Sequence, residues 1–492
     1  MATQALTAEL PHALADKRPR IAVVGDAILD GWLCGRGTRL CREAPAPVVE
    51  IDHTGYSPGG AANTTANLAA LGANATLVSV TGCDSDGMAL REALKRAGVR
   101  TNTMVMESGR RTVAKRRVVA GDQLIARFDE GDGRAPRPDT EQALLRVLDQ
   151  VLPRCDAVLI GDYGMGTLTG AVRAKIQRSR RRIPLLVVDA HDLTGWARLR
   201  PDVVTPNAME AAALLGARWR DDRRFAEAEA HVSDLHALTG ASAVVVTFDR
   251  DGALLLVPDQ PSHRTWARPA PESRASGAGD TFVAALTLAL AGGVPATTGV
   301  ELAQAAADVV VAHPGTSVCT TAQLTARLGA YRSAAVDHDE LAALVEAHRV
   351  AGRRIVFTNG CFDVMHRGHV SYLNQAKRLG DVLIVAVNDD AGVRRLKGPD
   401  RPVNGAADRA AVLAALSCVD HVTTFAADTP VDLLARLRPD TYTKGGDYTP
   451  DMLPETPTVR SYGGEVTILD YLPDRSTSAV ISRIRATTGQ RP

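Results

Sequence analysis

The pattern that most constrains this chain is a recurrent alternation of short, nearly unbroken apolar runs with segments of helical spacing. Apolar runs at 20–25, 157–161, 185–189, 243–248, 354–357 and 382–387 predict strands, and helical patterns at 61–71, 278–291 and 368–378 fall between them. Strands that read as continuous apolar runs are buried on both faces, which requires parallel sheets covered by helices on each side. Such sheets open onto ligand at the carboxyl ends of their strands. The segments 46–51 and 112–128 alternate instead and predict a small half-exposed sheet, a β lid on the first domain.

At 492 residues the chain is too long for one ordinary domain. It is 45% hydrophobic and 23% charged, as globular proteins with a full core are. Its 57 basic and 56 acidic residues leave a net charge of +1, so no nucleic-acid or membrane partner is expected. The seven cysteines (34, 41, 83, 155, 319, 361 and 418) contain no C-x-x-C pair, which predicts reduced thiols. The first twenty residues lack an apolar core, and the longest apolar helix candidate, 281–294, is short and glycine-interrupted. The expected location is therefore the cytoplasm. His313-Pro314-Gly315 closes one α/β stretch, and a fresh strand begins near Arg353. The expected division is a first domain at 15–320, a helical linker at 321–350 and a smaller α/β domain at 351–492.

Two stretches carry chemistry. In the second half, a strand and turn lead into His366-Arg367-Gly368-His369 at the start of a helix. Two histidines three residues apart there point into one space, where free N–H groups already attract phosphate. Leu396-Lys397-Gly398, Arg401-Pro402-Val403, Lys444-Gly445-Gly446-Asp447-Tyr448 and Arg475-Ser476-Thr477-Ser478 follow, and are expected along the same sheet edge. The bland alternatives are a helix cap or core position for the histidines and solvated charges for Arg401 and Lys444.

In the first half, Ser276-Gly277-Ala278-Gly279-Asp280 precedes a long apolar helix. Small residues there let backbone N–H groups converge on an anion, and an Asp so placed can take a proton from a substrate hydroxyl. A glycine-rich helix cap is the alternative. Gly59-Gly60-Ala61-Ala62-Asn63 permits close backbone approach to a polar ligand, and Gly25-Asp26 and Asp30 follow the first strand. Asn207 and Glu210 offer a carbonyl and a carboxylate suited to water-shelled Mg²⁺.

The order of these first-half segments resembles the ribokinase/PfkB sugar kinase family across 20–320. The resemblance implies a three-layer α/β fold with Asp280 as base and Gly277, Ala278 and Gly279 as anion hole. It also implies Asp30, Gly59, Gly60 and Asn63 at sugar hydroxyls. Asn207 and Glu210 would organise Mg²⁺ and phosphates without ligating the metal directly. Three departures stand out: Arg274 replaces a common Asp, and Met165 and His191 stand where close relatives carry Lys.

Residues 351–492 resemble the cytidylyltransferase-like nucleotidyltransferase superfamily, with a Rossmann-like domain. That resemblance implies that His366 and His369 stabilise the α-phosphate during in-line attack and that Lys397, with Arg401 and Lys444, binds phosphate. Phe362 and Asp363 would shape the floor, and Ser476, Thr477 and Ser478 would hold the triphosphate. The joined order resembles the family of bifunctional D-glycero-β-D-manno-heptose 7-phosphate kinase/heptose 1-phosphate adenylyltransferases. This implies ATP as substrate of both steps, with Mg²⁺, sugar phosphates as the other small-molecule partners, and a homodimer. Lys115, Arg116 and Arg117 are candidates for the sugar's 7-phosphate, against ordinary exposed strand charges. Two other pairings stay open: a different sugar kinase joined to a cytidylyltransferase, or a sugar-phosphate-binding module that no longer phosphorylates.

Overall fold

The computed structural model describes residues 6–121, 123–221, 223–267, 276–312, 316–329, 335–446 and 449–469. Arg274, the 313–315 turn, and Ser476, Thr477 and Ser478 lie outside the described residues. The chain forms two compact units, one at 9–325 and one that groups the residues before 9 with those from 326 onwards.

The first unit is built on a nine-stranded sheet, and its centre is the set of apolar runs expected from sequence. From one edge it runs His263–Thr265, Ala253–Leu256, Ala243–Thr247, Val203–Val204 and Leu186–Ala190. It continues through Ala157–Asp162, Arg20–Gly25, Asn74–Gly82 and Met104–Glu107. Pairing is parallel except at the first three strands. Arg20–Gly25 is buried from Ile21 onwards and Ala157–Asp162 throughout, because helices cover both faces. Among those helices, Ala278–Ala291 is buried continuously from Thr281 to Ala289.

A second, four-stranded sheet joins Pro47–Gly60, Ala27–Leu40, Ala114–Ala120 and Gln123–Glu130 in that order. The two alternating segments expected as lid strands lie in it. The long strand Ala27–Leu40, which sequence periodicity did not indicate, supplies its centre. Because Ala27 directly follows Gly25-Asp26, this sheet starts at the carboxyl edge of the large one.

The second unit holds a five-stranded parallel sheet in the order His421–Phe425, Val382–Asn388, Ile355–Gly360, Thr441–Gly445, Glu465–Leu469. Strand succession reverses at Ile355–Gly360, which opens a crevice at that strand's carboxyl end. The helix His338–Val350, within the segment expected as linker, packs Leu341 and Val345 into the same core as Ile355, Phe357 and Tyr442.

Candidate active sites

In the first unit, Gly277 enters the helix Ala278–Ala291 with φ 83° and no side-chain cap, so the first-turn N–H groups remain available to an anion. A Cβ at Gly277 would approach Asn63 Nδ2 to 2.8 Å. That contact matters because Asn63 Nδ2 donates to Asp280 Oδ2 at 2.8 Å. The other Asp280 oxygen accepts from Tyr163 Oη at 3.2 Å. Burial drives the Asp280 carboxyl up to about 7, with the negative charges of Asp189 and Asp30 adding to the rise. A carboxylate so poised suits general-base work near neutral pH.

Asp30 accepts from Arg117 Nη1 at 3.0 Å and from Thr316 Oγ1 at 3.1 Å. Gly59 leaves it room, since a Cβ there would lie 2.9 Å from Asp30 Cγ. Gly60 ends the lid strand and directly precedes the helix that carries Asn63. The structure thus brings Asp30, Gly59, Asn63, Gly277 and Asp280 together. Arg117 also lies over the Trp32 ring, 4.9 Å from its centroid. Arg116 is held by Asp86 and Glu130. Neither is the ordinary exposed strand charge that was the simpler expectation.

Asn207 and Glu210 form a reciprocal capping box at the helix Ala208–Leu214. Glu210 Oε1 further pairs with His191 Nδ1 at 2.6 Å, and this pairing raises the imidazole's affinity for its proton. His191, at a position where a lysine was expected, is thus held against the Glu210 carboxylate. With their oxygens already engaged, Asn207 and Glu210 fit a metal's hydration shell better than direct ligation. Among the described residues no group of three or more His, Cys, Asp or Glu could hold a metal ion. Asp26, expected to face ligand, instead accepts from the backbone N–H groups of Tyr163, Met165 and Thr167. It is a buried organiser of the 163–167 turn.

In the second unit, His366 caps the helix Arg367–Lys377, its Nδ1 accepting from the Gly368 N–H at 3.1 Å. The cap fixes the tautomer: the proton of the neutral ring sits on Nε2, which remains a donor. The His366 and His369 rings stand 4.0 Å apart between centroids. Burial and the neighbouring ring hold the His369 imidazole down to about 3, so it is neutral until an anion arrives. Phe362, with φ 45°, places its ring 5.6 Å from His369.

Asp363 accepts from Arg401 Nε and from the backbone N–H groups of Val403 and Asn404. It thereby fixes Arg401 and its loop, so Arg401 is not the solvated charge of the simpler alternative. Lys444 Nζ donates to Asn359 Oδ1 at 2.9 Å, and Tyr442 Oη donates to the same oxygen at 2.8 Å. Lys397 is exposed at the end of the helix Asp390–Lys397. Sequence reading missed Arg409, which is 1% exposed and donates to Cys361 O, Asn404 O and Asp390 Oδ1. An arginine at helical spacing gives no sign of such burial.

The two units thus present a buried carboxylate beside an uncapped, glycine-led helix start and a histidine pair at a helix start. This is the equipment of a carbohydrate kinase and a nucleotidyltransferase. Residues 18–323 match the pfkB family of carbohydrate kinases, and residues 357–482 match the cytidylyltransferase-like family. The chain is 38% identical over 471 residues to the bifunctional protein HldE of Trichlorobacter lovleyi, covering 94% of each chain. It is also 38% identical to the HldE proteins of Geobacter sulfurreducens (95% of this chain, 96% of that one) and Pseudomonas aeruginosa (96% and 98%). The chain belongs to this HldE family of bifunctional enzymes, the family that its motifs indicated. Among solved structures, phosphofructokinase-2 from Escherichia coli shares the fold of the first unit, with a TM-score of 0.53 at 20% identity. That match covers 62% of this chain and 97% of the other.

Proposed function

We propose that the first unit transfers the γ-phosphoryl group of ATP to the C1 hydroxyl of D-glycero-β-D-manno-heptose 7-phosphate. The second unit then transfers AMP from ATP to heptose 1-phosphate and releases pyrophosphate. The observation that carries the kinase half is the Asn63–Asp280–Tyr163 arrangement beside the uncapped helix start. Asp280 takes the proton of the attacking hydroxyl, while the N–H groups at Gly277, Ala278 and Gly279 meet the charge on the transferring phosphoryl group. Asp30, Gly59, Gly60 and Asn63 line the sugar side. Asn207 and Glu210 orient the hydration shell of Mg²⁺, whose charge offsets that of the phosphates when it is bound.

In the second unit, His366 Nε2–H donates to the α-phosphate, and His369, which takes a proton from solvent once the bound triphosphate is there to pair with it, meets the charge that develops there. Lys397, Arg401 and Lys444 complete the phosphate side, with Phe362 beneath. Ser476, Thr477 and Ser478 are assigned to the triphosphate by resemblance alone. Exposed Leu40, Ile51, Tyr56, Leu124 and Phe128, all on the four-stranded sheet, support a homodimer through that sheet. Both steps use ATP, which supports a cytoplasmic location. No helix among the described residues is long and apolar enough to cross a membrane.

The test is ATP turnover with heptose 7-phosphate, followed by pyrophosphate release from heptose 1-phosphate with ATP or CTP. Turnover in both steps with ATP is expected. Background turnover of heptose 7-phosphate overturns the kinase assignment, and pyrophosphate release with CTP alone overturns the adenylyl assignment.

A further inference from the structure

Tyr163 lies in the turn that Asp26 organises, directly after the strand Ala157–Asp162. Its hydroxyl stands 2.8 Å from Asp189 Oδ2 and 3.2 Å from Asp280 Oδ1. A phenol has one proton to donate, yet here it meets two carboxylates. Both contacts are satisfied together only when one of the acids carries a proton and donates it to the phenolic oxygen. The second Asp189 oxygen accepts from Thr205 Oγ1 at 2.9 Å, which fixes that carboxylate against the bridge.

We propose that Tyr163 is a positioning residue that couples Asp280 to Asp189 through one shared proton, and that Asp189 receives the proton removed from the sugar. The inference rests on Asp280 being the kinase base. In the step, the C1 O–H bond breaks and its proton passes to Asp280. The freed electron pair attacks the γ-phosphorus, and the bond to the bridging oxygen breaks with its electrons leaving on ADP. Asp280 then returns its proton to the Tyr163 oxygen as the Tyr163 proton moves to Asp189. The base is left ionised for another turnover, and Asp189 loses the proton to solvent. No oxidant or further reactant is needed.

The surroundings favour a shared proton. Burial raises Asp189 to about 6 and Asp280 to about 7, close enough for exchange between them. Asp30, which also faces Asp280, is already paired with Arg117. On the Asp189 side stand Glu210 and His191, paired with each other, with the charge of Lys115 acting on His191. The His191 ring also meets the Tyr163 ring edge-on at 5.4 Å.

The two bridge partners act on Asp280 in opposite directions: the Tyr163 hydrogen bond favours its ionised form, and the Asp189 charge disfavours it. In the full-length enzyme, kcat/KM for heptose 7-phosphate should therefore respond in opposite senses. The acidic limb moves to higher pH in Tyr163→Phe and to lower pH in Asp189→Asn, with kcat reduced about tenfold in each. Adenylyl transfer by the same preparations stays at the wild-type rate, and an unchanged circular dichroism spectrum and melting curve verify that the first unit is folded. Limbs that stay at the wild-type position in both variants overturn the bridge, whatever happens to kcat. Asp280→Asn, run alongside, separates the two failures. If it is inactive while both limbs stay in place, only the bridge is wrong. If it turns over like wild type, the base assignment fails and the bridge with it.

Discussion

The kinase site and the nucleotidyltransferase site handle the same phosphate chemistry with opposite electrostatics. In the first unit three acidic residues crowd together, and burial, with their mutual repulsion, lifts Asp280 to about 7. In the second unit two imidazoles are packed at 4.0 Å and His369 is held neutral down to about 3. The first site must remove a proton from a weakly acidic hydroxyl, so its key group is an anion kept unusually basic. The second site receives a substrate phosphate that is already ionised and needs no base. Its key groups are the paired imidazoles, of which His369 is held neutral by its burial. In both, burial disfavours the charged form: at Asp280 that makes the carboxylate a better proton acceptor, and at His369 it keeps the ring neutral in the absence of a bound anion.

The comparison can be broken most forcefully at Asp280. Asp280→Asn keeps the side chain's shape and removes its basicity. Heptose 7-phosphate phosphorylation is expected to fall by about 10²–10⁴-fold, with adenylyl transfer unchanged. Coupled ATP-turnover and pyrophosphate assays on one preparation check this. His369→Ala should do the converse, lowering adenylyl transfer by about 10²–10³-fold while leaving the kinase rate alone. His366→Ala should be similar in rate but should also lower the melting temperature, because it removes the cap of Arg367–Lys377. Gly277→Ala is the mildest probe. Forcing a Cβ into φ 83° against Asn63 costs about 1 kcal/mol of stability and displaces a partner of the proposed base. A roughly tenfold drop in kinase kcat with little change in KM is the expected readout.

Much of the architecture was legible because buried parallel strands write themselves as apolar runs. The runs at 20–25 and 382–387 fall on strands Arg20–Gly25 and Val382–Asn388, and the pattern at 278–291 falls on helix Ala278–Ala291. The strand Ala27–Leu40 was not legible, because a half-exposed lid strand carrying glycine, arginine and aspartate shows neither a clean period nor an apolar run. Among site residues, His366, His369, Gly277 and Asp280 belong to local motifs and could be picked out. Tyr163 and Arg409 could not, since their partners lie far away in sequence: Asp280 is 117 residues from Tyr163, and Cys361 is 48 from Arg409. Asp26 was legible as a residue but misjudged in role. Only the folded turn shows its carboxylate filled by three backbone N–H groups.

The contrast between an anion made basic and imidazoles kept neutral is tested most directly by the pH dependence of kcat/KM for both half-reactions of the wild-type enzyme. As the proposed base Asp280 has to be ionised to act, so kinase kcat/KM should fall tenfold per unit as pH drops below about 7. His369, neutral down to about 3, gives adenylyl transfer no such break between about pH 6.5 and 8. A kinase profile flat through pH 7, or the same break in both reactions, would contradict the account.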